Sequence, residues 1–177
     1  MRYFSLTAIV SDQPGIVFSI TQFLFEKGCN IENSSMTQLQ GQFAIILIAS
    51  GEIKDNAVLT SWETELQDQT KYLGLNIAIS PISKLQTDTH KEKALISIHG
   101  ADKAGIVAKV SKFLYDQNIN VSNLETQLIH EPKPLYIMQI EIECAADHLK
   151  KINSDLEKLG KSLDVSIKIQ SIREAVI

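Results

Sequence analysis

Residues 12–17, Asp-Gln-Pro-Gly-Ile-Val, recur ninety positions later as Asp-Lys-Ala-Gly-Ile-Val at residues 102–107. The same offset pairs Asn30 with Asn120 and Asn33 with Asn123. The match fades in the middle of each half and returns near its end, where leucines and isoleucines again fall in register. Self-similarity at one fixed offset is typical of a supersecondary unit that occurs twice. The chain is therefore predicted to contain two domains of one fold.

Length and charge limit the classes of protein to be considered. The 177 residues suffice for two small domains, which we place at 1–83 and 94–177 with a polar, apolar-poor linker at 84–93. The formal net charge is −4, and only Arg2 and Arg173 among the 17 basic residues are arginines. Proteins that bind nucleic acid mainly through its phosphates carry a basic surface. We therefore expect no direct contact with nucleic acid.

The cysteines and the start of the chain indicate a reduced, aqueous compartment. Cys29 and Cys144 occupy non-equivalent positions in the repeat and form no C-x-x-C pair, which favours free thiols over a disulfide or a metal cluster. The first residues lack the apolar run and cleavage site of a signal peptide, and no apolar run approaches the roughly 18 residues of a membrane span. We expect a cytoplasmic protein with no membrane segment, metal or cofactor.

Hydrophobic periodicity predicts the same six elements in each half. The helix that begins at Ile16 should end at Gly28, which can adopt a left-handed conformation, and Gly41 should close a hairpin. The predicted strands of the first half are 3–10, 30–39, 43–49 and 75–82, and its second helix spans 59–73. In the second half, the strands are 94–99, 119–130, 135–143 and 165–172, and the helices are 106–117 and 145–159. There the insertion Glu131-Pro132-Lys133-Pro134 replaces the tight Gly41 turn.

The βαββαβ order predicts an α+β fold class with two ferredoxin-like domains. Right-handed crossovers and burial of each helix's apolar stripe produce a four-stranded antiparallel sheet with both helices on one face. The other face of the sheet stays uncovered. Because residues 43–48 are apolar at successive positions, we expect this face or an edge to be covered by the other half of the chain or by another chain, as in a homodimer.

The turn between the first strand and the first helix is the best candidate for a binding site. Asp12 is placed to cap the helix by accepting the N–H of Gly15, and Pro14 fits a first helical turn. Gly15 has no Cβ, so a ligand carboxylate could approach the free N–H groups at the positive end of the helix. Asp102 and Gly105 repeat the arrangement. The alternative is that both turns are helix caps and nothing more.

The asparagines that open each second strand are further candidates. Asn30, Asn33, Asn120 and Asn123 offer amide donors and acceptors suited to the amino or carboxylate group of a small zwitterion. Turn chemistry explains Asn30 equally well, because it follows the helix-ending Gly28. Both interpretations stay open on the residues alone.

No residues point to catalysis. His90, His99, His130 and His148 fall in the linker, a strand, a hairpin and a helix, at spacings that favour neither a metal site nor an acid/base pair. We find no catalytic triad, phosphate-binding loop or carboxylate pair in the sequence. The chain is therefore predicted not to be an enzyme.

Two βαββαβ units, each with an Asp-x-x-Gly-Ile-Val turn, resemble tandem ACT domains, the small amino-acid-sensing modules of regulated metabolic proteins. Within this family, residues 12–17, 28–34 and 41–43 are similar to those of repressors of the glycine cleavage system. The second copy departs from the pattern, with Ala104 where the motif has proline and Asn118 where it has glycine. The first turn is therefore the better candidate for a ligand site.

The resemblance implies a transcriptional repressor that binds an activator protein of the glycine cleavage operon, does not hold DNA itself, and responds to glycine. It also implies a ligand site where the first turn of one module meets the second strand of a neighbouring module. The residues assigned to such sites are Asp12, Gly15, Ile16, Asn30, Asn33, Asp102, Gly105, Ile106, Asn120 and Asn123.

Three alternatives stay open. Direct DNA binding would need a basic stripe or a helix-turn-helix, and neither is visible in the sequence. A detached enzyme is the second alternative, because ACT modules precede hydrolases such as formyltetrahydrofolate deformylase and acylphosphatase shares the βαββαβ order. The phosphate chemistry of acylphosphatase, however, needs an arginine where this chain has Gln13 or Lys103. The third is a different small ligand, or none, with the two domains acting as an interaction module.

Overall fold

The computed structural model describes residues 1–83, 92–130, 132 and 134–172, which form two compact units. The first unit contains β1 Arg2–Ser11, α1 Ile16–Glu26, β2 Asn30–Leu39, β3 Gln42–Gly51, α2 Asn56–Gln69 and β4 Asn76–Ile82, with one turn of 3₁₀ helix at Lys71–Leu73. The second unit contains β5 Glu92–Gly100, α3 Ile106–Asp116, β6 Asn120–Ile129, β7 Leu135–Cys144, α4 Ala146–Leu163 and β8 Val165–Ile172. The predicted βαββαβ order is confirmed in both units.

Each unit has one antiparallel sheet, with the strand orders β2-β3-β1-β4 and β6-β7-β5-β8. The predicted α+β class with two ferredoxin-like domains is therefore confirmed. The largest differences concern the second helix of each unit. The sequence places α2 at 59–73, but it spans Asn56–Gln69, and Lys71–Leu73 forms a separate 3₁₀ turn. The sequence ends α4 at Leu159. The helix continues to Leu163, whose side chain is buried in the core of the second unit.

Part of the predicted domain organisation falls on residues that are not described. Of the linker expected at 84–93, only Glu92 and Lys93 are described, and they are the first residues of β5. Residues 84–91, which include His90, lie outside the described part of the chain, as do the hairpin residues Glu131 and Lys133 and the last residues, 173–177. The division at 83 and 94 therefore stays a prediction.

One apolar core lies between the sheet and the helices of each unit. In the first unit, Phe4 and Leu6 of β1 and Phe23 of α1 are almost completely buried. The Trp62 ring of α2 packs edge-on against both phenylalanine rings, with centroid distances of 5.9 Å to Phe4 and 6.4 Å to Phe23. Burying one large apolar side chain contributes about 1.5–3 kcal/mol. The second core is built in the same way from Ala94, Ile96, Ile98, Val110, Leu114, Ile140 and Leu156.

The first helix of each unit ends in the same hydrogen-bonded motif. Gly28 has a φ of 67°, its N–H donates to the Phe25 carbonyl at 2.9 Å, and the Cys29 N–H donates to the Leu24 carbonyl at 2.9 Å. Asn118, with a φ of 54°, makes the equivalent pair of bonds at the end of α3. This is the Schellman motif, in which glycine or asparagine takes the left-handed position. The predicted end of the helix at Gly28 is confirmed.

The β2–β3 hairpin has a two-residue turn. Its central residues, Gln40 and Gly41, both have positive φ values, of 51° and 77°. Positive φ at both positions is typical of a type I′ turn, whose twist matches that of the flanking strands. The predicted tight hairpin at Gly41 is therefore confirmed.

The two edges of the first sheet differ in what covers them. At the β4 edge, the Ile79 N–H donates to Glu63 Oε2 at 2.7 Å and the Ile77 N–H donates to Gln67 Oε1 at 3.3 Å. The Gln67 side-chain amide in turn donates to the Leu75 carbonyl. Helix α2 therefore binds backbone groups that an edge strand would otherwise leave unpaired. At the other edge, every residue of β2 is exposed.

Each sheet has one face that points away from its helices, and we call these the open face of sheet one and the open face of sheet two. Three middle rows cross the strands of each face. The rows of sheet one are Asn33-Ile48-Ser5-Ser80, Ser35-Ile46-Thr7-Ala78 and Thr37-Ala44-Ile9-Asn76. The matching rows of sheet two are Asn123-Glu141-Leu95-Gln170, Glu125-Gln139-Ser97-Lys168 and Gln127-Ile137-His99-Ser166.

Candidate functional site

The turn between β1 and α1 is held by its neighbours on two sides. The Asp12 N–H donates to the Gly41 carbonyl at 2.8 Å, which ties the start of the turn to the β2–β3 hairpin. The Gln13 side-chain amide donates to the Leu73 carbonyl, also at 2.8 Å, which ties the turn to the 3₁₀ segment before β4. These two bonds hold the turn in place while the Asp12 side chain remains exposed.

Gly15 occupies the cap position of α1. It has a φ of 99°, in the left-handed region, and no side chain caps the first N–H groups of the helix. The Ser19 N–H donates to the Gly15 carbonyl at 2.9 Å. The predicted cap by Asp12 is therefore wrong, and Pro14 precedes the helix instead of entering its first turn. The physical reason is that Gly15 is left-handed and is itself the cap residue. The helix therefore begins at Ile16, one residue after the Gly15 N–H that Asp12 was expected to accept.

The approach to this helix N-terminus is open. A Cβ added to Gly15 would have no atom within 4 Å. Helix N-termini present unpaired N–H groups and a positive partial charge, so a carboxylate fits there. Two exposed aromatic side chains lie at the same end of the helix: Phe18, in its first turn, and Tyr72, whose hydroxyl is 3.3 Å from Ser19 Oγ.

Ile16 and Ile106 can offer a ligand only their main-chain groups. Each side chain is 2% exposed and belongs to the core of its unit. A ligand at either turn would therefore meet an isoleucine N–H and not the side chain. The buried side chains instead anchor the start of each helix to its core.

The second unit repeats the turn with a more exposed anchor. Gly105 has a φ of 91°, α3 starts without a side-chain cap, and the space around Gly105 is also open. Lys103, which replaces the glutamine, pairs with the Asp164 carboxylate at 3.0 Å, and the two side chains are 47% and 86% exposed. Exposed ion pairs contribute about 0–1 kcal/mol. Asp102 interacts instead with Tyr136. The pKa of the Tyr136 hydroxyl is raised mainly by its burial and secondly by the negative charge of Asp102.

The asparagines lie at the opposite end of the sheet from the turn of their own unit. Asn30 and Asn33 pair with the end of β3, opposite the beginning of β1, whereas the turn follows the end of β1. Asn33 lies level with Ser5 and Asn30 level with Tyr3, so at about 3.3 Å per residue roughly 23 Å and 30 Å separate them from Asp12. Asn120 and Asn123 have the equivalent positions on β6. Each unit thus brings together the aspartate, glycine and isoleucine of its turn but not its asparagines.

A β-bulge determines which way these asparagines face. The β2–β3 register shifts between Ile31 and Asn33, and the β6–β7 register shifts at the matching position. In a regular strand, residues three apart point to opposite faces, but the extra residue of the bulge, Glu32, places Asn30 and Asn33 on the same face. The buried Ser50 hydroxyl donates to Glu32 Oε1 at 2.5 Å. The bulge therefore directs both amides of a unit to its open face.

Sequence reasoning missed the groups that hold the first turn. Gln13 and the Leu73 carbonyl are 60 residues apart, and no pattern in the residue types indicates that they meet. The sequence predicts Gly41 only as part of a hairpin and does not indicate that its carbonyl binds Asp12. The bulge at Glu32 was also missed, although the spacing of the two asparagines was a signal for it.

The described ranges offer neither a metal-binding cluster nor a membrane-spanning helix. Among these residues, no three His, Cys, Asp or Glu side chains are grouped so that they could hold a metal ion. Within the same ranges, no helix is both long and apolar enough to cross a membrane. Cys29 and Cys144 are free thiols.

Comparison with known proteins identifies the family. The family model for the ACT domain matches residues 2–80 and again residues 92–170. The chain belongs to the ACT domain family. A UPF0237 protein of Clostridium acetobutylicum is 37% identical over 78 residues, which are 44% of this ACT chain and 86% of that protein. The glycine cleavage system transcriptional repressor of Escherichia coli K12 is 27% identical over 123 residues, which are 70% of this chain and 63% of the repressor.

Two crystal structures resemble this ACT protein over nearly their whole length. An unknown protein from Galdieria sulphuraria has a TM-score of 0.83 and 24% identity, over 97% of this chain and 99% of that one. A provisional glycine cleavage system transcriptional repressor has a TM-score of 0.75 and 22% identity, over 98% of both chains. At these identities the two structures show the fold alone.

Proposed function

We propose that this ACT protein is an amino-acid-responsive repressor of the glycine cleavage system, which acts in the cytoplasm by binding a transcriptional activator and responds to glycine. The observation that carries the proposal is the first turn, a helix N-terminus with no side-chain cap that is open above Gly15 and held by two hydrogen bonds. The relationship to the Escherichia coli repressor supports the same function. In this proposal the chain is a regulator and not an enzyme.

A small zwitterion suits the charges at this turn. Its carboxylate would accept hydrogen bonds from the first N–H groups of α1, and the exposed Asp12 carboxylate would attract its amino group. Glycine has five non-hydrogen atoms, and a ceiling of about 1.5 kcal/mol per atom allows roughly 7.5 kcal/mol, a dissociation constant in the micromolar range. The actual affinity should be weaker than this ceiling, which suits a response to changes in a metabolite pool.

The asparagines enter this proposal only through another ACT module. Asn30 and Asn33 lie roughly 23–30 Å from the turn of their own unit, so they would reach a ligand at a turn only where a second strand approaches a different module. The fully exposed edge strand β2 is available for such an approach. The same reasoning applies to Asn120 and Asn123.

The proposed effect on transcription is exerted through a protein contact. A net charge of −4 disfavours binding to DNA phosphates. A ligand changes a protein contact only if it binds one state of the protein better than the other. Glycine would therefore have to bind the activator-bound and the free chain with different affinities.

Calorimetric titration with a panel of amino acids tests the ligand assignment. Gly15→Val and Gly105→Val are a matched pair, because their φ values are 99° and 91° and each glycine has open space around it. Both variants carry similar backbone strain, so a difference between them reports the ligand site. We expect Gly15→Val to weaken glycine binding at least about tenfold and Gly105→Val to leave it within about twofold of the wild type.

The calorimetry has two contrary outcomes. Equal glycine binding by the wild type and by folded Gly15→Val would show that the first turn is not the site. If the folded wild type bound no amino acid, the chain would be an interaction module without a small ligand. Tryptophan fluorescence of Trp62, which packs in the core of the first unit, establishes whether Gly15→Val is folded.

A mobility-shift assay with glycine cleavage operon DNA tests the partner. The chain alone should leave the DNA unshifted. Added together with the activator, it should change the activator's shift, and glycine should alter that change. A shift of the DNA by the chain alone would contradict the proposed action through a protein.

A further inference from the structure

A groove lies in the first unit, at the opposite end of β1 from the first turn. Its walls come from the start of β1, the end of β4 and the segment that leads from β3 into the first turn of α2, and its lining residues include Arg2, Ile53, Asn56, Leu59, Pro81 and Ile82. The groove has a volume of about 630 Å³. Binding sites for small organic molecules typically have volumes of about 300–1,000 Å³. The groove is therefore large enough for such a molecule, and we call it the Arg2 groove.

The most deeply buried lining residues are apolar. Ile53 is 6% exposed and Leu59 is 3% exposed, and both belong to the core of the first unit. Pro81 and Ile82, at the end of β4, add further apolar surface. Transfer of hydrocarbon from water to such a surface is favourable. The part of an occupant that lies on this floor is therefore expected to be hydrocarbon.

Arg2 supplies the charged side chain of the groove. No hydrogen bond or ion pair within the described part of the chain uses its guanidinium group. A guanidinium presents its donors in a planar fork that matches the two oxygens of a carboxylate, and it stays protonated throughout the ordinary pH range. The cation is therefore available to pair with an anion from solution.

The N-terminus of α2 does not compete for that anion. The Asp55 carboxylate caps the helix by accepting the Val58 N–H at 3.2 Å. A helix capped in this way already has a negative charge beside its positive end. The Asn56 side chain, which also lines the groove, adds an amide that can donate to a carboxylate oxygen. Arg2 thus supplies the positive charge of the groove, and Asn56 supplies a neutral donor.

We propose that the Arg2 groove binds a small aliphatic carboxylic acid as its anion, with the carboxylate on the Arg2 guanidinium and the hydrocarbon body against Ile53 and Leu59. The groove combines a cation with an apolar floor, and this class of ligand carries the complementary anion and hydrocarbon in one small molecule. Asp12 follows Arg2 by ten residues, which is roughly 33 Å at about 3.3 Å per residue. The site is therefore distinct from the turn proposed to bind glycine, and it does not rest on that function.

The second unit carries the opposite charge at the matching position. Glu92 pairs with Cys144 on β7, as Arg2 pairs with Gly51 on β3. Burial of the Cys144 thiol, followed by the negative charge of Glu92, raises the pKa of that thiol. A ligand carboxylate near Glu92 would be repelled. We therefore expect one aliphatic carboxylate per chain, bound to the first unit.

Titration of the isotope-labelled full chain with isocaproate, followed by NMR, tests the site. We expect the backbone amide signals of Ile53, Asn56 and Leu59 to shift and to saturate, with a dissociation constant on the order of 1 mM. Arg2→Met removes the charge but keeps most of the hydrocarbon stem, and it should weaken binding at least about tenfold. Lys54→Met removes the same charge from an exposed residue next to Ile53, and binding should stay within about twofold of the wild type.

Two analogues separate the contribution of the charge from that of the hydrocarbon. Isocaproamide keeps the branched body of isocaproate but has no charge, whereas acetate keeps the charge but lacks the body. Each should bind at least about tenfold more weakly than isocaproate. Gly15→Val should bind isocaproate as the wild type does, so the Arg2 groove and the proposed glycine site are tested separately.

Four results would overturn the proposal. One is a wild type whose amide signals do not respond to isocaproate up to about 20 mM. Another is a set of shifts centred on Gly15, or a loss of binding in folded Gly15→Val, because the carboxylate would then bind the first turn. The third is undiminished binding by folded Arg2→Met, with Arg2→Gln as the second variant should Arg2→Met fail to fold. The fourth is an affinity for isocaproamide or acetate equal to that for isocaproate.

Discussion

Replacing Gln13 with alanine should destabilise the first unit. Its side-chain amide donates to the Leu73 carbonyl at 2.8 Å, and Leu73 is only 6% exposed. Removing the donor leaves a largely buried acceptor without this partner, which costs about 1–3 kcal/mol. Lys103→Ala is the matched control in the second unit, where the lost ion pair is exposed and contributes about 0–1 kcal/mol.

Trp62 makes the measurement specific for the first unit. It is the one tryptophan of the chain, and its ring contacts Phe4 and Phe23 in the first core. Urea unfolding followed by tryptophan fluorescence therefore reports the free energy of unfolding of this unit. We expect Gln13→Ala to lower that free energy by about 1–3 kcal/mol with an unchanged m value, and Lys103→Ala to leave the tryptophan transition where it is.

The same variant connects stability to binding. Because the Gln13 amide holds the turn at the start of α1, Gln13→Ala should also weaken glycine binding at the proposed site. Gln13→Glu should be at least as destabilising, since an ionised carboxylate cannot donate to the Leu73 carbonyl. If Gln13→Ala unfolded within about 0.3 kcal/mol of the wild type, an uncertainty typical of such differences, the hydrogen bond would not be what holds the turn.

Gly28→Ala should lower the free energy of unfolding of the first unit by about 1 kcal/mol, because Gly28 has a φ of 67° and no atom lies within 4 Å of an added Cβ, so only backbone strain counts. Gly28→Asn should cost less, since Asn118 has that conformation in α3, and equal effects in the urea titration would contradict this. Alkylation of Cys29 and Cys144 by iodoacetamide should be slow at neutral pH, because burial raises the pKa of both thiols above the usual 9.0. An alkylation rate equal to that of free cysteine would refute this prediction. The folded state favours the neutral thiols, so the stability that they contribute is present below the unfolded pKa and is lost as pH rises through the raised pKa.

The repeat explains why the fold could be predicted from the sequence. Two copies of one pattern constrain the same six elements independently, so an ambiguous segment in one half is supported by its counterpart. Helix periodicity and turn chemistry are local, and the helix end at Gly28 and the turn at Gly41 follow from them. The end of α4 was misplaced at Leu159, although Leu163 continues the same apolar stripe four residues further on.

The site was harder to predict because its geometry depends on backbone angles and distant partners. The cap by Asp12 failed because the left-handed φ of Gly15 sets the start of α1, and a residue type does not reveal that angle. The anchor of Gln13 joins residues that are 60 positions apart. Sequence reasoning therefore identified a helix N-terminus that the structure leaves open and the glycine at its cap position, but not the contacts that hold the turn.

The two bulges show which part of the arrangement has been kept as the copies diverged. Glu32 on β2 lies beside Ser50 on β3, and the matching positions hold Ser122 on β6 and Glu143 on β7, so the two residue types have exchanged strands. A buried hydroxyl such as that of Ser50 needs a partner, and a carboxylate across the bulge supplies one in the first unit. Either strand can supply the serine while the other supplies the glutamate, so the two residue types can exchange strands if both positions change together. What stays constant is the extra residue itself, and with it the placement of two asparagines on the open face of each unit. The anchor of the turn and the charge of the open face, by contrast, differ between the two units.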